Sequence, residues 1–236
     1  MTISLVIPAF NEESQIGHCL ESVLKNSGGR LYEIIVVDNA STDRTSEIAG
    51  SFSGVRVVHE SRKGTGPARN AGYLAASGDL VAYMDADCRL PSNWIDKIEV
   101  AFADSTLVLL SGPYSFYNAS SLANAVIYGL FWVWFPIAGF FAGDTAIGGN
   151  MVMRRLALQK INGFDTSIDF YGEDTDIAAR ISKYGKVRFD TSFYIYSSAR
   201  RYHHEGIVHS LFMYTLNGFW WILFRKPYSS AHEDVR

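Results

Sequence analysis

Cysteine is nearly absent: Cys19 and Cys88 are the only two among 236 residues. That is too few for a disulfide framework, so the expected setting is an intracellular, reducing compartment. A basic excess is missing as well. The formal net charge is −3, which argues against wholesale nucleic-acid binding and requires any anionic ligand to be held locally. Nothing basic precedes the apolar residues of Met1-Thr-Ile-Ser-Leu-Val-Ile-Pro8, so this start reads as a first strand and not as a signal peptide. Glycines for close approach to a pyrophosphate are absent from Pro8 to Glu13, which disfavours a dinucleotide-dependent oxidoreductase. Lys63-Gly64-Thr65-Gly66 lacks the Gly-Lys-Ser/Thr ending of a phosphate-cradling loop and reads as a flexible loop. Internal repeats and low-complexity linkers are also lacking, and the length suits one substantial α/β domain.

What is present alternates strand-like and helical patterns. Ile3 to Ile7, Glu33 to Val37, Val55 to His59 and Leu80 to Met84 are the candidate strands. Glu12 to Asn26, Ser41 to Gly50 and Pro67 to Ser77 are the candidate helices between them, the second opened by a cluster of Ser, Thr and Asp. Such an order predicts βαβ units and a mainly parallel sheet flanked by helices.

Ligands bind beyond the carboxyl ends of the strands in open parallel sheets, and the residues there are polar. The first strand runs into Asn11-Glu12-Glu13, the second into Asp38-Asn39-Ala40-Ser41, the fourth into Asp85-Ala86-Asp87. Acids at i and i+2 of an extended chain point the same way. Asp85 and Asp87 can therefore hold a hard divalent cation, Mg²⁺ or Mn²⁺, whose remaining ligands come from a substrate diphosphate. Taken singly, each stretch also reads as a solvated turn or a helix cap.

Four stretches carry a resemblance: VIPAFNEE at 6–13, VVDNASTDRT at 36–45, GPARNAGYLAASGDLVAYMDADC at 66–88, and GGNMVMRR followed by GFDTSIDFYGEDTDIAARISKYG between 148 and 185. In this order they resemble the family 2 glycosyltransferases, which have the nucleotide-sugar-binding GT-A fold. The resemblance implies an inverting, metal-dependent sugar transfer from a nucleoside-diphosphate donor, a UDP-sugar first and GDP-mannose second. It places Ala9, Glu12 and Ala86 at the nucleotide, Asp38 at the nucleobase, Arg69 and the 63–66 loop at the diphosphate, Asp85 at the ribose or metal shell, and Asp87 on the metal. Asp174, paired with Glu173, becomes the general base toward the acceptor, although acids there also suit a helix N-terminus. His203 either completes the metal shell or sits on a solvated loop. Ser198-Ala-Arg-Arg-Tyr202 departs from the QxxRW motif of processive members, which disfavours a polysaccharide synthase.

No charged residue lies between Ser105 and Gly143, and Ile207 to Phe224 is nearly uncharged, with Trp220-Trp221, before Arg225-Lys226. A single membrane crossing within Leu122 to Phe141 would put the two acidic pairs on opposite sides, and Pro136 breaks a helix there. The alternatives are buried elements, a homodimer contact, or a surface that meets a membrane and receives a lipid-linked acceptor. The expected organisation is a GT-A domain over 1–205, with a nucleotide-binding half (1–90) and an acceptor half (91–205), followed by an apolar tail (206–236). Its expected location is cytoplasmic, at the inner face of the cell membrane. Two rivals remain: a non-catalytic nucleotide-sugar-binding or scaffold subunit, and a nucleotidyltransferase, whose glycine-rich loop after the first strand is not found.

Overall fold

The structure is a computed structural model that describes residues 1–120, 129, 146–168, 172–200 and 220. Short apolar runs bounded by polar turns form β1 (Ile3–Ala9), β2 (Glu33–Asp38), β3 (Val55–His59) and β4 (Leu80–Met84). Between them lie α1 (Ile16–Ser27), α2 (Thr45–Gly50) and α3 (Thr65–Ala75). The chain continues through α4 (Trp94–Phe102), β5 (Leu107–Ser111), β6 (Tyr114–Phe116), β7 (Asn150–Arg154) and α5 (Arg155–Lys160). It then forms α6 (Glu173–Ile181), a 3₁₀ turn (Ser182–Tyr184), β8 (Lys186–Phe189) and β9 (Ile195–Ser197). The expected tail, the tract from Leu122 to Phe141 and His203 lie outside the described residues. Among those described, no helix is long and apolar enough to cross a membrane.

Seven strands make one sheet in the order β3-β2-β1-β4-β7-β5-β8. β1, β2, β3 and β4 are mutually parallel, as helical crossovers require, and β5 is parallel to β8. β7 alone runs antiparallel, to both β4 and β5. β7 thus lies between β4 and β5, joining the strands before residue 90 to those after it. Pro8 has no N–H to donate and lies beyond the last β1–β4 pair, Val6–Tyr83, so it costs that ladder nothing.

Both faces of the sheet are covered, which is why β4 reads as an unbroken apolar run and is buried throughout. Successive residues of β1 serve opposite layers. Leu5 and Ile7 pack with Ile16, Leu20, Val23, Trp94 and Ile98 on one face; Val6 packs with Ile35, Val37, Tyr83, Met151 and Ile177 on the other. Each such buried aliphatic side chain contributes roughly 1.5–3 kcal/mol of transfer free energy. A Cβ at Gly72 would run into the Val6 side chain. Glycine there lets α3 lie close on β1, which lowers Arg69, one turn earlier, to the rim of the sheet.

The strands fall where the sequence predicts, but two helices start late. α1 begins at Ile16 and not at Glu12, and α2 at Thr45 and not at Ser41. Their expected caps are engaged across the gap between two loops: Ser41 Oγ accepts the Asn11 N–H (3.1 Å), Thr45 Oγ1 the Glu12 N–H (2.7 Å) and Asp43 the Glu13 N–H (3.0 Å). In return Asn11 Oδ1 accepts the Thr42 N–H at 2.8 Å. The exits of β1 and β2 are laced into one unit.

Candidate active site

The first wall of the site is the end of β2. Ala9, at the end of β1, is buried and its carbonyl accepts the Asn39 N–H at 2.8 Å. Asp38 is buried too; its Oδ1 accepts the Ser41 N–H (3.2 Å) and its Oδ2 meets His59 Nδ1 (3.1 Å). Of Lys63–Gly66, read from sequence as a flexible loop, Thr65 and Gly66 already belong to α3, and the preceding 60–64 turn is tied down by one side chain. Asn39 donates to the carbonyls of Glu60 (3.2 Å) and Arg62 (2.7 Å) and accepts the Gly64 N–H (2.9 Å). Lys63 Nζ stands 4.6 Å from the centre of the Phe10 ring.

Arg69 forms the centre. Its guanidinium is buried, with Nη1 on Glu173 Oε1 and Nη2 3.3 Å from Asp85 Oδ1. One cation therefore joins the acids after β4 to those that open α6. The second Asp85 oxygen accepts the Tyr114 hydroxyl at 2.8 Å. A Cβ at Gly148 would collide with the Arg69 guanidinium, and one at Gly149 with the Asp85 carboxylate and the Tyr114 hydroxyl. The Gly-Gly pair of the sequence motif is the space into which this network fits.

The two acids of α6 differ in their partners. Glu173 is held by Arg69, whereas Asp174 accepts the N–H of Gly148 (3.3 Å) and of Thr175 (2.8 Å). Burial pushes Glu173 up to about 7 against the pull of Arg69, and the neighbouring Asp174 charge adds to the rise. Burial raises Asp174 as well, opposed by Arg69 and by its two backbone donors. Burial beside Asp85 likewise pushes the Tyr114 hydroxyl well up, so it stays a donor. Cys19 and Cys88 are buried free thiols raised by burial, which suits packing and not nucleophilic chemistry.

Asp87 and Glu12 meet a second arginine. Arg200 follows β9, which pairs with β6 and is bridged to the main chain at Arg89 through Tyr196 (2.7 and 3.2 Å). Arg200 Nη2 lies 2.7 Å from Glu12 Oε1 and 3.6 Å from Asp87 Oδ2. Ala86 is buried between the two aspartates. Among the described residues no group of three or more His, Cys, Asp or Glu side chains converges to hold a metal ion.

The geometry gathers Ala9, Glu12, Asp38, Arg69, Asp85, Ala86, Asp87, Glu173 and Asp174 along the carboxyl edge of β1, β2 and β4 and the start of α6. Arg69, expected at the diphosphate, is buried with both of its amino groups on acids of the chain. His59, Tyr114 and Arg200 had no part in the sequence-based site. His59 ends β3, Tyr114 opens the short β6 and Arg200 follows β9, all outside the motifs, and only the Arg-Arg of residues 200–201 hinted at a cation near the end of the domain.

The description "Glycosyl transferase family 2" matches residues 4–161, and "N-terminal domain of galactosyltransferase" matches residues 140–207. The chain is 30% identical over 216 residues to the probable glycosyltransferase YdaM of Bacillus subtilis, a match covering 79% of this chain and 48% of that protein. It is 33% identical over 118 residues to the dolichol-phosphate mannosyltransferase of Pyrococcus furiosus, covering 48% of this chain and 34% of the other. The matches span less than half the length of these curated relatives. Among solved structures, the mannosyltransferase PcManGT of Pyrobaculum calidifontis, in complex with GDP-Man and Mn²⁺, superposes with a TM-score of 0.66 at 18% identity over 88% of this chain and 62% of that one. Glucosyl-3-phosphoglycerate synthase of Mycobacterium tuberculosis, with Mn²⁺, UDP-glucose and phosphoglyceric acid, gives 0.65 at 22% identity over 95% of this chain and 79% of that one. These structures share the fold, a mainly parallel sheet flanked by helices. Since the family pattern runs through more than half of the residues, the chain belongs to glycosyl transferase family 2.

Proposed function

We propose that this chain is the catalytic domain of an inverting, metal-dependent glycosyltransferase that moves a sugar from a nucleoside diphosphate to a glycan or lipid-linked acceptor. A UDP-sugar is the first choice of donor and GDP-mannose the second. The observation that carries this reading is the Arg69 guanidinium shared by Asp85 and Glu173, because it makes the donor-side and acceptor-side acids parts of one site. The relatives support it as well: the Pyrobaculum enzyme was solved with GDP-Man and the mycobacterial one with UDP-glucose, both with Mn²⁺.

In this reading Ala9, Glu12, Asp38 and Ala86 border the nucleoside. Asp85 and Asp87 would hold Mg²⁺ or Mn²⁺, with His203 as a further ligand. The donor set fits such an ion: two hard carboxylates, 36% and 20% exposed, leave coordination places for diphosphate oxygens. The ion, when bound, offsets the charge that builds on the leaving diphosphate. Asp174 takes the proton of the acceptor hydroxyl as its oxygen bonds to the anomeric carbon and the bond from that carbon to the diphosphate breaks. Its raised pKa suits a base, and its two backbone donors fix its aim. Glu173 and Arg69 position Asp85 and the start of α6. The uncharged, aromatic stretches 122–141 and 207–224 support an acceptor held at a membrane surface, with the enzyme peripheral on its inner face.

A thermal-shift panel of UDP, GDP, CDP and dTDP, with and without Mn²⁺, tests donor binding. A diphosphate at 100 times its dissociation constant should add about 2.7 kcal/mol of stability. No shift with any of the four, or equal shifts in EDTA, would defeat the reading. Donor turnover that depends on Asp174 separates an enzyme from a binding-only subunit.

A further inference from the structure

Arg200 meets two acids that follow different strands. Its Nη2 donates to Glu12 Oε1 at 2.7 Å and lies 3.6 Å from Asp87 Oδ2. The other Asp87 oxygen accepts the Cys88 thiol at 3.8 Å. The arginine is also held from behind. Its N–H donates to Ser198 Oγ (3.2 Å), which accepts from Asn118 Nδ2 as well (3.4 Å), while Asn118 Oδ1 accepts the Ala199 N–H at 2.6 Å. The β6–β9 pair thereby delivers a cation to the acids beyond β1 and β4. Its side chain is 24% exposed, that of Glu12 7% and that of Asp87 20%, so the three charges meet where water screens them only in part.

We propose that Arg200 is a resident counter-cation of the metal position: in the donor-free chain it offsets the charge of Asp87 and Glu12, so that a divalent ion binds poorly until a diphosphate brings further negative charge. The proposal rests on the metal-binding part of the reading above. The effect is one of charge and not of space. A carboxylate has about four acceptor places, so the guanidinium leaves Asp87 room to ligate an ion. What it removes is potential. A guanidinium stays charged at any working pH, and an ion on Asp87 would stand close to it, where a like charge that is only partly screened lowers affinity. A diphosphate reverses the balance, because its oxygens ligate the ion and its charge outweighs that of one arginine. Metal and donor are then taken up together, and the site is spared a metal that has no leaving group to serve.

Calorimetric titration of the full chain with Mn²⁺, without nucleotide and with saturating UDP or GDP, tests this in the wild type, Arg200→Met and Arg200→Lys. Without nucleotide, Arg200→Met should bind Mn²⁺ about tenfold more tightly than the wild type, the order expected when one partly screened like charge is removed. Arg200→Lys keeps the charge but not the fork of the guanidinium and should stay close to the wild type. A role limited to shaping the loop would instead weaken Mn²⁺ binding in both variants. Arg200→Gln, read in the same way, replaces the methionine variant if that one fails to fold. Equal or weaker Mn²⁺ binding in the neutral variants, equal tightening in Arg200→Lys, or a wild type that binds Mn²⁺ as well without a diphosphate as with one overturns the proposal and leaves the metal reading standing. A wild type that takes no Mn²⁺ even with a diphosphate overturns both.

Discussion

Replacing Arg69 by Met tests whether the shared guanidinium is a structural keystone or a free ligand for phosphate. The side chains of Arg69 and Glu173 are 5% and 8% exposed, so solvent cannot take over the lost partner. Removing one member of a buried pair typically costs about 3–5 kcal/mol, because the other charge stays buried and uncompensated. Here Asp85 and Asp174 also lie within the field of the same cation, which points to the upper part of that range. Glu173→Gln should cost much less, since the amide still accepts from Arg69 and the guanidinium keeps Asp85. Adding Glu173→Gln to Arg69→Met should recover part of the loss, giving a double-mutant coupling well above the scatter between independent sites. In urea, with a slope of about 2 kcal/mol/M, a 4 kcal/mol loss lowers the midpoint by about 2 M. An Arg69→Met variant within about 1 kcal/mol of wild type, with diphosphate affinity alone reduced, would refute the keystone argument and restore the phosphate-facing role read from the sequence.

Asp87→Ala is expected to abolish Mn²⁺-dependent binding of UDP or GDP, and unchanged affinity by calorimetry would remove the acid pair from the metal site. For Asp174→Asn, donor binding should be near normal while transfer slows by roughly 10²–10⁴-fold; full activity toward a hydroxyl acceptor in steady-state assays would contradict its role as base. The rise of Glu173 from 4.5 to about 7 means that the folded chain binds more protons than the unfolded one between those values. Its contribution is therefore present below pH 4.5 and lost as pH rises through 7, a change of order 3 kcal/mol, whereas the lowered carboxyls of Glu33, Asp43, Asp79 and Asp165 add stability as pH climbs toward 4.5. Denaturation midpoints should peak in mild acid, and Glu173→Gln should flatten the limb above pH 4.5; a wild-type limb that rises there contradicts the assignment. Charged substitutions at Trp132 and Trp134 should weaken co-sedimentation with anionic liposomes without affecting nucleotide binding, and a full-length chain that stays in the supernatant at low salt speaks against a membrane-held acceptor.

β1, β2 and β4 were legible because burial on both faces leaves apolar runs, and the edge strand β3 through its valines around Arg56; Val55–His59 and Leu80–Met84 match residue for residue. Family membership was legible through its motifs. Helix starts were misread because Ser41, Asp43 and Thr45 look like caps but bond to the loop after β1, and a sequence does not say which backbone a hydroxyl will find. The antiparallel course of β7 and the β6–β9 pair were not legible either, since neither leaves a periodicity. The same limit hid the Arg69 partners. Composition supplied the acids and the arginine, but their pairing depends on how closely α3 lies on β1, which turns on the missing Cβ of Gly72.

The central place of β7 has a consequence for how the molecule is made. Its neighbours β4 and β5 are synthesised well before it; β4 waits with one edge open and β5 with both until residues 150–154 leave the ribosome and enter between them. Until then the nascent chain holds a four-stranded fragment and a lone strand with bare, apolar borders, the kind of template that recruits other chains. Closure brings Gly148 and Gly149 in on the same segment, immediately ahead of the strand, while Glu173 and β8, which follow in the chain, complete the ionic centre and the edge of the sheet. Assembly of the scaffold and readiness of the site both wait on this strand, and a fragment ending before β7 would have neither.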